Sequence, residues 1–129
     1  MLTPNKKSVL LVDDEHDILD PLGAFLRRQG YSVFTADNGT DGLKIAKKEL
    51  PGLVILDLML PDIDGSEVAA ELLNNVLTRD IPIIFLTGVL TKADQERIGP
   101  VIANRRIIAK PCRPEEILAL VKDQIGPAQ

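Results

Sequence analysis

The stretch that decides the fold is "LVILDL", Leu53 to Leu58. Its apolar residues run on without polar alternation, the mark of a strand covered on both faces by other layers. Pro51-Gly52 precedes it and the turn-rich "PDIDG", Pro61 to Gly65, follows, so the run has the length of a strand and not of a helix. A single acid, Asp57, interrupts it near its end.

Outward from this strand the chain alternates between two periodicities. Upstream, Val9–Val12 reads as a first strand. It is followed by a helix with Ile18, Leu19, Leu22, Phe25 and Leu26 at helical spacing and Gly30 as its stop. Tyr31–Thr35 is a short second strand, and Thr40–Glu49 a second helix that Pro51-Gly52 ends. Downstream come a helix over Ser66–Asn75 and a strand over Ile81–Thr87. A fourth helix starts near Thr91 and meets a breaker at Gly99-Pro100. Arg106–Ala109 is the fifth strand, and Glu115–Ile125 the last helix, opened by Pro114.

Five strands alternating with five helices predict an α/β fold: a doubly wound, five-stranded parallel sheet with helices on both faces. The common order for such a sheet is 2-1-3-4-5, with its binding crevice where strands 1 and 3 diverge. The 129 residues carry no linker or compositional break, so the prediction is one domain over 1–129 with its core at about 7–126.

Composition narrows the function. The net charge of −4 and the 3% aromatic content argue against nucleic-acid contact by this domain. No apolar run reaches the ~20 residues of a membrane span, and "MLTPNKKS" leads into a run too short for a secretory signal. The expectation is a soluble, cytoplasmic protein. Cys112, the one cysteine, reads as a small half-buried residue and cannot form an internal disulfide. His16 reads as a polar residue of the first helical turn.

The topology brings three acids to one crevice: strand 1 ends at Asp13-Asp14 and strand 3 at Asp57. Clustered carboxylates repel each other unless a cation joins them, and an all-oxygen set suits Mg²⁺. Thr87 closes strand 4, and Lys110-Pro111 follows strand 5 at the same sheet edge. A hydroxyl and an ammonium facing such a site suit a phosphoryl group.

Four segments, "LLVDDE", "LVILDLMLPDIDG", "IIFLTG" and "AKP", stand in this order at the ends of strands 1, 3, 4 and 5. In them the sequence resembles the CheY-like receiver domains of two-component response regulators and hybrid kinases, over nearly its whole length. The resemblance implies that Asp57 is the phosphoacceptor. It implies that Asp13, Asp14, Asp57 and the Met59 carbonyl hold Mg²⁺, Asp13 mainly through water. Lys110 would pair with Asp57 and its phosphoryl group, Thr87 would move toward that group as the switch, and Lys110-Pro111 would be cis. The implied partner is a histidine kinase or histidine phosphotransfer protein. Output would leave through the face of the fourth helix, fifth strand and last helix, toward an output domain or partner. The protein would be no enzyme beyond its own aspartyl phosphorylation and dephosphorylation.

Three departures fall on that output face. Ile107 stands where most receivers have an aromatic and reads as a core residue of strand 5; Ala103-Asn104 replaces Gly-Ala; Cys112 replaces a common aromatic. Two other classes stay open. One is a receiver-like interaction module with weak or no phosphorylation. The other is a dehalogenase-like phosphohydrolase using "DIDGS", although there Pro61 separates the acids from the strand. "DIDG" also partly fits a calcium loop, but its first ligand would be Leu60.

Overall fold

The computed structural model describes residues 5–88, 92, 93, 96 and 105–128. They form strands β1 (Asn5–Val12), β2 (Ser32–Ala36), β3 (Pro51–Asp57), β4 (Ile83–Thr87) and β5 (Arg106–Ala109). Helices α1 (His16–Arg28), α2 (Gly39–Glu49), α3 (Gly65–Leu73) and α4 (Pro114–Ile125) alternate with them. The five strands form one parallel sheet in the order β2-β1-β3-β4-β5. Among the described residues there are thus four helices. Of the fourth helix expected from Thr91, only Lys92, Ala93 and Glu96 are described, and each is helical; its breaker at Gly99-Pro100 falls outside the described residues, as do Ala103 and Asn104.

Alternation along the strands sorts the core into two layers. Leu10, Val12, Val54, Leu56 and Phe85 point to the side packed by Ala46 of α2 and by Val68, Ala69 and Leu72 of α3. Val9, Leu11, Leu53, Ile55, Ile84 and Leu86 point to the other, against Leu19, Leu22 and Leu26 of α1 and Ile117 and Val121 of α4. Each strand of the sheet's centre is therefore covered twice, which is why "LVILDL" shows no polar alternation.

The element ends differ from the sequence reading for local reasons. β1 starts four residues before Val9, because Asn5 pairs with Pro51 across a register irregularity that hydrophobic pattern does not record. Pro51-Gly52 does not merely end α2: Leu50 caps that helix in the left-handed conformation, φ 47°, and Pro51 opens β3. β4 starts at Ile83 instead of Ile81; Pro82 has no N–H for the ladder, though its carbonyl accepts from Val54. α3 stops at Leu73, where the Thr78 hydroxyl donates to the Leu72 carbonyl and holds the chain in its turn. Gly30, at φ 102°, ends the turn after α1, a conformation that a side chain would disfavour.

Ile107 is a correction. It was expected in the core, but it is 43% exposed, and Ile108 is the buried residue of β5. Ile108 faces the layer of α1 and α4, whereas Ile107, in register with Phe85, lies on the opposite face at the sheet's edge.

Candidate functional site

The carboxyl edge of the sheet carries the site. Asp13 follows β1 directly and donates its N–H to the Ala36 carbonyl at 3.1 Å, extending the ladder by one residue. Asp57 is the last residue of β3 and Thr87 the last of β4. Lys110 follows β5, its N–H donating to the Thr87 carbonyl at 2.8 Å. The Lys110–Pro111 peptide is cis, as the resemblance led us to expect. Backbone pairing, and not loop wandering, thus fixes all four positions.

Asp13 and Asp57 are each only 3% exposed, and Thr87 2%. The Lys110 ammonium lies 2.8 Å from Asp57 Oδ2, 2.8 Å from Asp13 Oδ2 and 2.7 Å from Glu15 Oε1. Its hydrogen bonds are directed at Asp57 and Glu15. Asp13 Oδ2 is close enough for ion pairing but, among the described residues, receives no well-directed hydrogen bond, and the buried Thr87 Oγ1 has no partner among them. The remaining carboxylate oxygens are turned inward by local backbone: Glu15 N–H donates to Asp13 Oδ1 at 2.9 Å and Met59 N–H to Asp57 Oδ1 at 3.0 Å.

The charges are unbalanced. Ligand oxygens of Asp13, Asp14, Glu15 and Asp57 lie within 4.8 Å of one another, while one ammonium serves three of these acids. Burial raises the Asp57 pKa above the ordinary carboxylate value; the Lys110 hydrogen bond pulls the other way without cancelling it. Burial alone would lower Lys110, but the close Asp13 carboxylate and the hydrogen bonds that Lys110 donates to Asp57 and Glu15 outweigh it and hold the ammonium firmly charged. An all-oxygen donor set with an unsatisfied buried oxygen at Asp13 is chemically suited to a hard divalent cation.

The sequence reading named Asp13, Asp14, Asp57, Thr87 and Lys110, and the structure brings them to this edge. Glu15, which ends "LLVDDE", has no part in the sequence reading; its signal was its adjacency to Asp13 and Asp14. Met59 contributes the N–H above, and its side chain is 46% exposed. His16 opens α1 as an exposed residue, its Nδ1 3.2 Å from Asp20 and its Nε2 3.1 Å from Asp37. Hydrogen bonds to Asp37 and then Asp20 raise its pKa. Cys112 is half-buried against the α1–α4 layer, with its thiol pKa raised by that burial.

The loop after β3 is anchored, which the sequence did not reveal. Asp62 accepts from Gly39 N–H at 2.8 Å, from Thr40 N–H at 2.9 Å and from the Thr40 hydroxyl. It thereby serves the N-terminus of α2 from across the chain, and those hydrogen bonds, the Thr40 hydroxyl first, hold its pKa well below the usual range. Gly65 packs so closely that a Cβ there would overlap the Asp57 carbonyl oxygen. Neither Asp62 nor Asp64 belongs to the cluster of acid ligand atoms found among the described residues. Asp62→Ala is expected to lower the melting temperature by a few degrees by leaving the Gly39 and Thr40 N–H groups of the α2 terminus without their acceptor. A thermal melt checks this, and an unchanged midpoint would deny the anchor.

Buried aspartates, a threonine and a lysine at the switch point of a doubly wound sheet define a receiver-type signalling domain. Residues 9–122 match the family described as the response regulator receiver domain, and the chain belongs to that family. It is 40% identical over 116 residues to the alkaline phosphatase synthesis transcriptional regulatory protein PhoP of Bacillus subtilis, covering 90% of this chain and 47% of that one. To the transcriptional regulatory protein CreB of Escherichia coli it is 36% identical over 117 residues, covering 91% and 50%. The chain therefore spans about half the length of these curated relatives. Among solved structures it resembles the receiver domain of the sensor histidine kinase PA1611 from Pseudomonas aeruginosa PAO1, which has a magnesium ion coordinated in its active site cleft. That match has a TM-score of 0.83 at 28% identity and covers 93% of this chain and 98% of that one. A CheY-like receiver domain protein from Methanospirillum hungatei JF-1 matches with TM-score 0.82 at 28% identity, covering 92% and 93%. Receivers of this family occur in response regulators and in hybrid kinases. No helix among the described residues is long and apolar enough to cross a membrane.

Proposed function

We propose that the chain, acting as one receiver over 1–129, accepts a phosphoryl group on Asp57 from a histidine kinase or histidine phosphotransfer protein, with Mg²⁺ as cofactor. The observation that carries this reading is a buried Asp57 at the end of the central strand, held 2.8 Å from Lys110. Asp13, Asp14, Asp57 and the Met59 carbonyl would hold the cation. When bound, Mg²⁺ supplies charge neutralisation for the phosphoryl oxygens.

The residues divide the remaining work. An Asp57 carboxylate oxygen attacks the phosphorus in line; a P–O bond forms, and the P–N bond to the donor imidazole breaks with its electron pair left on nitrogen. Lys110 pairs with the phosphoryl oxygens once Asp57 has lost its charge. The Thr87 hydroxyl, buried and without a partner among the described residues, donates to one of them and so reports the modification to the chain beyond β4. The domain performs no chemistry beyond its own phosphorylation and dephosphorylation, works in the cytoplasm, and hands its change of state to an output domain or partner at the β5–α4 side.

Incubation with Mg²⁺ and a small phosphodonor, read by intact mass, tests this. One labile phosphoryl equivalent is expected. No uptake would leave an interaction module, and many turnovers a phosphohydrolase. Thr87→Ala is expected to load phosphate still but to lose most of the conformational response. Amide exchange with and without beryllofluoride, which stands in for the phosphoryl group, checks it. In the parent protein the response should centre on the chain after Gly88, because Ile107 has no ring to rotate. Large protection changes across β5 and α4 would show that Ile107 transmits the signal.

A further inference from the structure

Three carboxylates crowd the Lys110 ammonium: it donates to Asp57 at 2.8 Å and to Glu15 at 2.7 Å, and Asp13 pairs with it by charge at 2.8 Å. An incoming phosphoryl oxygen needs one of those places. Two of the acids are fixed, because Asp13 and Asp57 are each 3% exposed and their Oδ1 atoms accept backbone N–H groups. Glu15 differs. Its side chain is 56% exposed, and Lys110 is the one hydrogen-bond partner found for its carboxylate among the described residues.

We infer that Glu15 is the displaceable partner of Lys110: it holds the ammonium in the resting domain and yields its place to the phosphoryl group. The inference rests on the proposed phosphoacceptor function and adds a residue to it. Glu15 can swing away at little cost because only its side chain moves. Its backbone is the N-cap of α1, with the carbonyl accepting from Ile18 at 3.0 Å and Leu19 at 2.9 Å and the N–H bonded to Asp13. Leaving returns its carboxylate to water, whereas Asp13 would have to give up Lys110 while buried and Asp57 is itself the acceptor of the incoming group. Glu15 therefore sets how tightly the resting site resists a phosphoryl group, without touching the reacting atoms.

Two substitutions separate contact from charge. Glu15→Gln keeps the length and loses the charge. Glu15→Asp keeps the charge, but on this fixed backbone it draws the carboxylate back by about 1.5 Å, one C–C bond, and out of reach of Lys110. Both are surface changes, and a thermal melt verifies the fold. The measurement is beryllofluoride affinity at saturating Mg²⁺, since this probe occupies the phosphoryl position without bond making. Both variants are expected to bind about two- to fivefold more tightly than the parent, the range an exposed ion pair commands. Tighter binding by Glu15→Gln alone would overturn the inference, because charge in the crevice and not the hold on Lys110 would then be responsible. Two variants equal to a parent that binds would overturn it as well and leave the phosphoacceptor reading standing. A parent that binds no beryllofluoride and takes up no phosphoryl group would remove both.

Discussion

Replacing Asp57 by Asn is expected to abolish phosphoryl uptake and, at neutral pH, to raise the melting temperature. The first effect follows from the proposed chemistry: an amide has no charged oxygen for in-line attack, and the other crevice acids do not end the central strand. The second follows from the electrostatics already described. Burial raises the Asp57 pKa, so the folded chain binds its proton more tightly than the unfolded one. Stability therefore falls as pH rises from the ordinary carboxylate value through the raised folded value, and the penalty is constant above that window. The Asn variant escapes this penalty, and Lys110 keeps Asp13 and Glu15 as partners. Its thermal advantage should be full at neutral pH and vanish below the ordinary carboxylate range. Intact mass and melting curves across pH measure the two effects. A less stable Asn variant at neutral pH would mean that the Lys110–Asp57 pair outweighs the cost of burying the charge.

Magnesium should produce the second large effect. Four carboxylates share a crevice with one ammonium, and a divalent cation binding only the folded state stabilises it by mass action. At ten times its Kd the ion is expected to raise the melting temperature by about 5 °C for a domain of this size. Asp14→Ala should remove most of that rise. Asp14 is exposed at the mouth of the cluster, so the substitution takes away a ligand without opening a cavity. A parent melt that ignores millimolar Mg²⁺ would count against the metal site.

Much of this was legible in the sequence, and what was missed has a common cause. Strand and helix alternation gave the parallel doubly wound class, because burial on two faces leaves a direct trace in "LVILDL" and "IPIIFLT", and the order was the common one for that class. The site acids followed from topology alone, since a doubly wound sheet assigns Asp13, Asp57, Thr87 and Lys110 to one edge before any side chain is placed. The reach of Glu15 to Lys110, 95 residues away, leaves no local pattern. Nor does the grip of Asp62 on the α2 terminus, which is 22 residues back along the chain. Ile107 was misplaced for the opposite reason. An apolar residue in a strand reads as buried, but a period of two cannot say whether an edge position has a neighbour above it.

The edge strand itself has a consequence for how the domain comes apart. β5 pairs with β4 alone, and Arg106, Ile107 and Ala109 are exposed along it. Yet Lys110, the one cation among the described residues that touches the crevice acids, arrives on this least enclosed strand. Peeling β5 away would leave the other four strands paired while stripping the carboxylates of their counter-charge. The pull of those acids on Lys110 is thus a latch on the sheet's margin. A cation that enters the crevice satisfies the same acids and slackens it, so local fraying at one border and ion occupancy at the rim are two faces of a single thermodynamic balance.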